Sequence, residues 1–268
     1  MTNLKILSLN INGLKAFYNR GEGSGSLLDK LIAENNPDII LFQETKCTED
    51  DVHYWLSEWE NEWKVFANSS EKKGYAGVAC MIKNNLISKC LVKQINLMEG
   101  EYYSGRILEI AYGRLKIVNV YTLNSGSEKA NLRVNWDKEF INYIQGLRDY
   151  GKVIVMGDLN SVTDEKDCYA YEAYFDIIHG VCEFEIEALK SLKKTANLFD
   201  SFRELNPETV EYSWFSYRGS SRWNNQGFRL DYALLDENLR SNLKSSEILG
   251  SPCEYSDHSP ILLTLNSI

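Results

Sequence analysis

Lys152–Asn160 reads KVIVMGDLN. The run KVIVM is a buried strand, and it stops at a Gly-Asp turn that leaves Asp158 and Asn160 just past the apolar segment. The same arrangement recurs upstream. LKILSLN (Leu4–Asn10) is an apolar strand ending in an amide, and DIILFQ (Asp38–Gln43) is a strand followed at once by Glu44. Each segment therefore predicts a strand with a polar group at its end, where side chains project into the crevice in which open α/β sheets bind ligands.

Outward from these strands, the pattern predicts helices over 27–35, 50–59, 128–148, 183–194 and 198–204. Further strands are predicted over 64–67, 77–83, 88–95, 106–111, 115–121, 211–215, 228–235, 246–249 and 261–265. Helices and strands alternate in both halves, but short breaks such as Asn84–Asn85 and Gly113–Arg114 read as hairpin turns. That mixture implies an α/β fold, two mixed β-sheets packed face to face with helices outside. The 268 residues suffice to bury a large core, and no repeat, low-complexity tract or linker divides them, so a single domain over 1–268 is expected.

Composition excludes several classes. No apolar run is long enough for a membrane span, and the opening MTNLKILSLN lacks the features of a signal peptide, so a cytoplasmic, intracellular protein is expected. The six cysteines (Cys47, Cys80, Cys90, Cys168, Cys182 and Cys253) form no C-x-x-C pair and match neither a zinc knuckle nor a disulfide framework. They read as reduced thiols. The net charge of −9 runs against the basic footprint usual in proteins that track nucleic acid. A metal site offers one reconciliation, since it gathers carboxylates whose charge a bound cation cancels.

The remaining polar candidates also cluster about apolar segments. Asp231 sits inside FRLDYALL, and Asp257 and His258 precede SPILLTL. Taken singly, each position has an ordinary explanation as a turn former, a helix cap or a satisfied core residue. Taken together they describe a site. Asp231 is the most costly of them unless paired, because it is a carboxylate within an apolar strand.

Here the residues carry a family resemblance. The segments LSLNINGLKA (7–16), PDIILFQETK (37–46), GYAGVA (74–79), GRILEI (105–110) and NVYTLNSG (119–126) resemble the endonuclease/exonuclease/phosphatase superfamily. So do GDLNSVTDEKD (157–167), YSWFS (212–216), GFRLDYALL (227–235) and SDHSPILLTL (256–265), in the family's order along nearly the whole chain. Thr45–Lys46, the N-I-N-G-L-K-A opening and the G-F-R-L-D-Y block are similar to its exodeoxyribonuclease III / abasic-site (AP) endonuclease branch. That resemblance implies a deoxyribonuclease I-like four-layer α/β sandwich. It also implies a Mg²⁺-dependent DNA phosphodiesterase of base-excision repair, cleaving 5′ to abasic sites, with 3′–5′ exonuclease and 3′-phosphatase activity.

By the same resemblance, Glu44 is the main metal ligand, supported by Asn10 and Asp257, and hard oxygen donors suit Mg²⁺, with Mn²⁺ as a substitute. Asp158, with Asn160 as its partner, orients or deprotonates the attacking water, and His258, oriented by Asp231, contacts the phosphate or that water. Tyr121 and Asn124 bind phosphate, Tyr121 also assisting the leaving group, and Asn12 and Asp167 line the site. Trp214 and Phe228 form the pocket for a base-free sugar, with core packing as the competing reading. Arg133, Arg229 and Lys46 are expected at backbone phosphates of duplex DNA carrying abasic or 3′-blocked lesions, bound by a monomer.

The resemblance thins over 168–186. CYAYEAYFDIIHG replaces the family's polar loop, and Ile186 stands where an arginine is usual. With the acidic charge, this keeps open a related phosphoesterase acting on RNA or a phosphorylated small molecule.

Overall fold

The structure is a computed structural model, and it describes residues 3–21, 23, 25–250 and 255–266. The first half runs β1 (Leu4–Asn10), α1 (Leu14–Tyr18), α2 (Ser26–Asn35), β2 (Ile39–Gln43), α3 (Glu49–Leu56), β3 (Trp63–Asn68) and β4 (Val78–Lys83). The middle follows as β5 (Cys90–Ile95), β6 (Ile107–Tyr112), β7 (Leu115–Tyr121), α4 (Gly126–Arg148) and β8 (Lys152–Asp158). The last part comprises α5 (Tyr171–Tyr174), α6 (Glu183–Thr195), β9 (Leu198–Asp200), α7 (Ser201–Leu205), β10 (Trp214–Phe215), β11 (Gly227–Phe228), β12 (Asp231–Asp236), β13 (Leu243–Ile248) and β14 (Ile261–Leu265).

Two sheets of six strands form, ordered β13-β14-β1-β2-β4-β3 and β5-β6-β7-β8-β12-β9, with β10-β11 as a small separate ribbon. In each large sheet one central pair is parallel, β1 with β2 and β7 with β8, while the remaining pairings are antiparallel. The wholly apolar strands predicted by sequence occupy these centres, because only there are both faces covered. Ile6, Leu41 and Cys80 of one sheet meet Ile117, Ile154 and Met156 of the other in a shared core. The outer face of the first sheet packs on Phe17, Leu28, Leu31 and Val52 of α1–α3. That of the second packs on Trp136, Phe140, Ile144, Leu189 and Leu192 of α4 and α6. This is the expected four-layer sandwich.

The two sheets are also pinned by a buried amide pair. Gln43 Nε2 donates to Asn119 Oδ1 at 2.7 Å, and Asn119 Nδ2 donates to the carbonyls of Phe42 and Ala79. At Gly157, φ is +144° and a Cβ would lie 2.1 Å from the Val120 carbonyl oxygen, so only glycine lets β8 approach β7 there.

Several boundaries differ from the sequence expectation. The helix predicted over 198–204 is two elements. Leu198–Asp200 pairs with β12, and Asp200 then caps α7 by accepting from the Phe202 and Arg203 amides. The strand predicted over 228–235 breaks at Arg229–Leu230, which makes Asp231 the first residue of β12. The strand predicted over 211–215 contracts to β10. No helix among the described residues is long and apolar enough to cross a membrane. Cys47, Cys80, Cys90, Cys168 and Cys182 are free thiols, and Cys253 lies outside the described residues.

Candidate active site

The two parallel pairs point their C-terminal ends at the same place. Register sets Asn10 beside Gln43, one residue before Glu44, and sets Tyr121 beside Asp158, while antiparallel β12 sets Asp231 opposite Asp158. Beyond these strand ends the backbone turns sharply. Asn12, Glu44, Lys46 and Asn160 all have positive φ, a conformation that costs energy in a non-glycine residue and is tolerated where surrounding contacts fix it. Two of these turns use one device. The Asn10 carboxamide accepts from the Asn12 amide at 3.0 Å, and the Asp158 carboxylate accepts from the Asn160 amide at 2.9 Å. Each polar strand end thus bends its own chain to present the next polar residue.

The side chains converge. Asn10 Nδ2 donates to both Glu44 Oε1 and Asp158 Oδ2 at 2.9 Å, so one amide ties the two carboxylates together. Lys46 Nζ lies 2.8 Å from Glu44 Oε2 and also donates to Asn12 Oδ1. Asn12 Nδ2 in turn donates to Asp257 at 3.1 Å. His258 Nδ1 lies 2.8 Å from Asp231 Oδ2, and its Nε2 lies 3.8 Å from Asp158 Oδ2. Asn160 Nδ2 donates to the Thr122 carbonyl, and its Oδ1 accepts from Asn124 at 3.3 Å.

Burial makes these charges interdependent. It pushes the Asp158 carboxyl up, and Asp231 and Glu44 add to the shift while His258 opposes it, leaving Asp158 at about 7. Burial opposes charge on His258, but Asp231 and Asp158 outweigh it and raise the imidazolium to about 10. Burial also disfavours the Glu44 carboxylate, yet Lys46 and Asn10 hold its carboxyl below the ordinary range. Asp257 is lowered as well, because His258, Ser256, Asn12 and Trp214 overcome its desolvation. Tyr121 stays a neutral phenol: burial and the Glu44 charge raise it against the opposing effect of Arg106.

Glu44, Asp158 and His258 each offer a ligand atom within 4.8 Å of the others. The two carboxylates are the oxygen donors that a small hard cation prefers and fit a divalent metal, while Asn10 meets them with its Nδ2 and keeps its oxygen on the Asn12 amide. Glu44 and Asn10 of the predicted ligand set are at this point, whereas Asp257 is engaged one step away with Asn12, Ser256 and Trp214.

A cavity of about 370 Å³ opens beside them, lined on its polar side by Asn12, Glu44, Asn124, Asn160, Asp257 and His258. Its apolar wall is Trp214, Phe228, Leu230 and Ile178. Trp214 and Phe228 pack with ring centres 5.3 Å apart, and Trp214 Nε1 donates to Asp257 Oδ2 at 3.2 Å. A larger cavity of about 850 Å³, lined by Tyr112, Leu115, Lys152 and Asp236 among others, lies at the opposite ends of β6, β7, β8 and β12 and shares none of these groups.

Two contributors went unnoticed in the sequence. Arg106, buried, donates to the Tyr121 carbonyl at 3.1 Å and to the Tyr75 hydroxyl at 3.0 Å, with its guanidinium 5.0 Å from the Tyr121 ring centre. Its position at the head of the apolar run GRILEI was the available signal. His179 lines the cavity, with Nδ1 3.1 Å from Ser125 Oγ, and nothing in its local sequence marks it.

Three expectations are corrected. Arg133 is not placed to meet phosphate: only 2% exposed, it pairs with Asp137 at 2.7 Å and donates to the carbonyls of Leu123, Leu159 and Asn160. Asp167 does not line the cavity but is enclosed, receiving two hydrogen bonds from Arg229 and one from Arg203. Arg229 is likewise internal, shared between Asp167 and Asp200. A buried guanidinium needs buried carboxylates, and these partners occupy it from inside.

Residues 7–258 match the sequence profile of the Endonuclease/Exonuclease/phosphatase family. The chain is 31% identical over 270 residues to an exodeoxyribonuclease of Bacillus subtilis, covering 98% of this chain and 100% of that protein. It is 32% identical over 267 residues to the DNA repair nuclease APEX1 of Danio rerio, covering 98% of this chain and 82% of the other. Among solved structures, the fold is shared with a Neisseria 3′ phosphatase bound to a product DNA hairpin, with a TM-score of 0.84, 23% identity and coverage of 98% and 100%. It is shared equally with an AP endonuclease from Leishmania major, with a TM-score of 0.84, 23% identity and coverage of 99% and 88%. With this site at the ends of its strands, the chain belongs to the exodeoxyribonuclease III / AP endonuclease family, hydrolases of phosphoester bonds.

Proposed function

We propose that the protein is a DNA-repair phosphodiesterase that uses Mg²⁺, with Mn²⁺ as a substitute, to cleave 5′ to abasic sites and to trim blocked 3′ ends. The observation that carries this reading is the junction of Glu44, Asn10 and Asp158 at the ends of both sheets, with the Asp231–His258 pair directed at Asp158. A divalent cation held at Glu44 would neutralise charge on the phosphate and on the leaving 3′ oxygen.

The chain's own groups do the rest. Asp158, with a carboxyl near neutrality, is poised to take a proton from the attacking water while Asn10 and Asn160 fix its oxygens. His258, kept cationic by Asp231, donates to a phosphate oxygen from Nε2. Asn124, on the cavity wall, offers an amide donor to the same group and is held by Asn160, whose own amide hydrogens go to the Thr122 carbonyl and Asp158. The Tyr121 phenol remains protonated and would serve the leaving oxygen. Trp214 and Phe228 line a slot suited to a sugar lacking its base, and a base-free nucleotide leaves the stack at little cost. The free thiols support an intracellular setting, and the protein is read as a monomer.

The test is a 5′-labelled duplex carrying one tetrahydrofuran site. Incubation with Mg²⁺ should give a single nick 5′ to the site, and EDTA should stop it. Failure to cleave under either Mg²⁺ or Mn²⁺ would sink the proposal.

A second reading, a phosphoesterase acting on RNA or a phosphorylated small molecule, draws on the net charge of −9 and on the internal placement of Arg133 and Arg229. Turnover of RNA or small phosphoesters without turnover of any DNA substrate would favour it.

A further inference from the structure

Two loops flank the mouth of the cavity, and both turn apolar groups outward. Residues 216–226 are clamped to the site by Arg222. It donates to Ser259 Oγ at 2.9 Å and to the Asp257 carbonyl at 3.0 Å, with its guanidinium 4.2 Å from the Phe215 ring centre. The clamp holds the adjacent Trp223 outward, 87% exposed, and Tyr217 is 67% exposed with Arg218 following it at the surface. The second loop, 169–179, is anchored by Tyr169 and Tyr174, whose rings lie 6.3 and 6.0 Å from that of Phe228. It leaves Phe175 and Ile178 exposed and Ile177 70% exposed, and Ile178 also lines the cavity.

An apolar rim of this kind around a polar cavity marks a contact surface. Its position beside the catalytic groups identifies the occupant as the substrate itself. The protein carries a net charge of −9, and the arginines at 133 and 229 are internal, so these two arginines supply no contact to backbone phosphate. Base faces offer a further source of affinity: aromatic side chains with an intervening cation stack on unpaired bases without regard to sequence. In an intact duplex those faces are covered by neighbouring pairs, and uncovering them costs unstacking energy.

We propose that this rim is a stacking platform for unpaired nucleotides, so that the enzyme prefers a scissile phosphate flanked by single-stranded or frayed DNA. The inference rests on the phosphodiesterase reading for its catalytic consequence, but the platform itself is a binding claim. Trp223 and Tyr217 contact bases on one side of the cavity, and Ile177 and Ile178 contact the sugar or base edge on the other.

Two measurements test it at one fixed salt concentration. The first compares cleavage of a tetrahydrofuran site in a fully paired duplex with the same site inside an unpaired bubble, for the wild type, Trp223→Ala and Trp223→Phe. The bubble should be cleaved at least about fivefold more efficiently. Trp223→Ala should lower kcat/KM on the bubble roughly tenfold, through KM, while changing the duplex value less than twofold. Trp223→Phe should recover much of the loss, and melting temperatures should be unchanged. The second follows tryptophan fluorescence on titration with an oligothymidylate in EDTA, where quenching should depend on Trp223. Equal or better cleavage of the duplex, or an equal effect of Trp223→Ala on both substrates, overturns the preference. Absence of Trp223-dependent quenching overturns the platform. Quenching with no cleavage of either substrate supports the platform and refutes the catalytic reading instead.

Discussion

His258 Nδ1 lies 2.8 Å from Asp231 Oδ2, which leaves Nε2 turned toward Asp158 Oδ2 at 3.8 Å. The backbone that carries Asp231 is itself held, since Ser213 Oγ accepts from the amides of Leu230 and Asp231. One strand end therefore fixes the orientation and the charge of the imidazole. Asp231→Asn keeps the size of the side chain and removes the charge. kcat should fall about a hundredfold or more with KM within a few-fold. The His258 titration, followed by NMR, should drop from the folded value of about 10. An unchanged rate would remove His258 and Asp231 from the mechanism.

Glu44 has both oxygens committed, to Asn10 and to Lys46, so it is already oriented before any cation arrives. Glu44→Gln should weaken Mn²⁺ binding at least about tenfold by electron paramagnetic resonance or calorimetry, and lower activity in parallel. Retention of wild-type Mn²⁺ affinity would place the metal elsewhere.

Asp167 makes a stability prediction distinct from catalysis. Burial raises its carboxyl, but Arg229 and Arg203 outweigh this and hold it below the usual aspartate range. A carboxyl depressed on folding stabilises fully above its unfolded pKa of about 3.9, and that contribution disappears as pH falls through the lower folded value. Urea unfolding should therefore show Asp167→Asn to be destabilised at pH 7 by ~3 kcal/mol, because Arg229 loses one of its two buried carboxylates. The gap between variant and wild type should narrow as the pH drops below about 4. A constant gap would mean that the ion pair is not its source.

His179 lines the cavity from the loop that departs most from the family pattern, at hydrogen-bond distance from Ser125. His179→Ala should raise KM roughly tenfold and leave kcat within twofold, as expected when a donor to a charged substrate group is lost without touching the chemistry. Steady-state kinetics on the abasic duplex decide it, and a fall in kcat alone would contradict this placement.

The chain's apolar runs determined much by themselves. LKILSLN, DIILFQ and KVIVM could only be strands covered on both faces, and an alternation of helices and hairpins around them left a layered α/β sandwich as the economical way to bury them. The polar residues that end these runs, Asn10, Glu44, Asp158 and Asn160, were legible for the same reason: a strand that stops at a carboxylate or amide places it at the sheet's edge. Tertiary structure decided what local pattern does not encode. Leu198–Asp200 became a strand because β12 offered it a partner, although its own spacing is helical. Arg133, Arg229 and Asp167 read in sequence as polar groups free to meet a substrate, yet they are enclosed in ion pairs whose partners lie up to 62 residues away. Sequence lists which charges exist. Only the folded chain, by bringing distant residues within hydrogen-bond range, decides which of them are spent inside and which face the substrate.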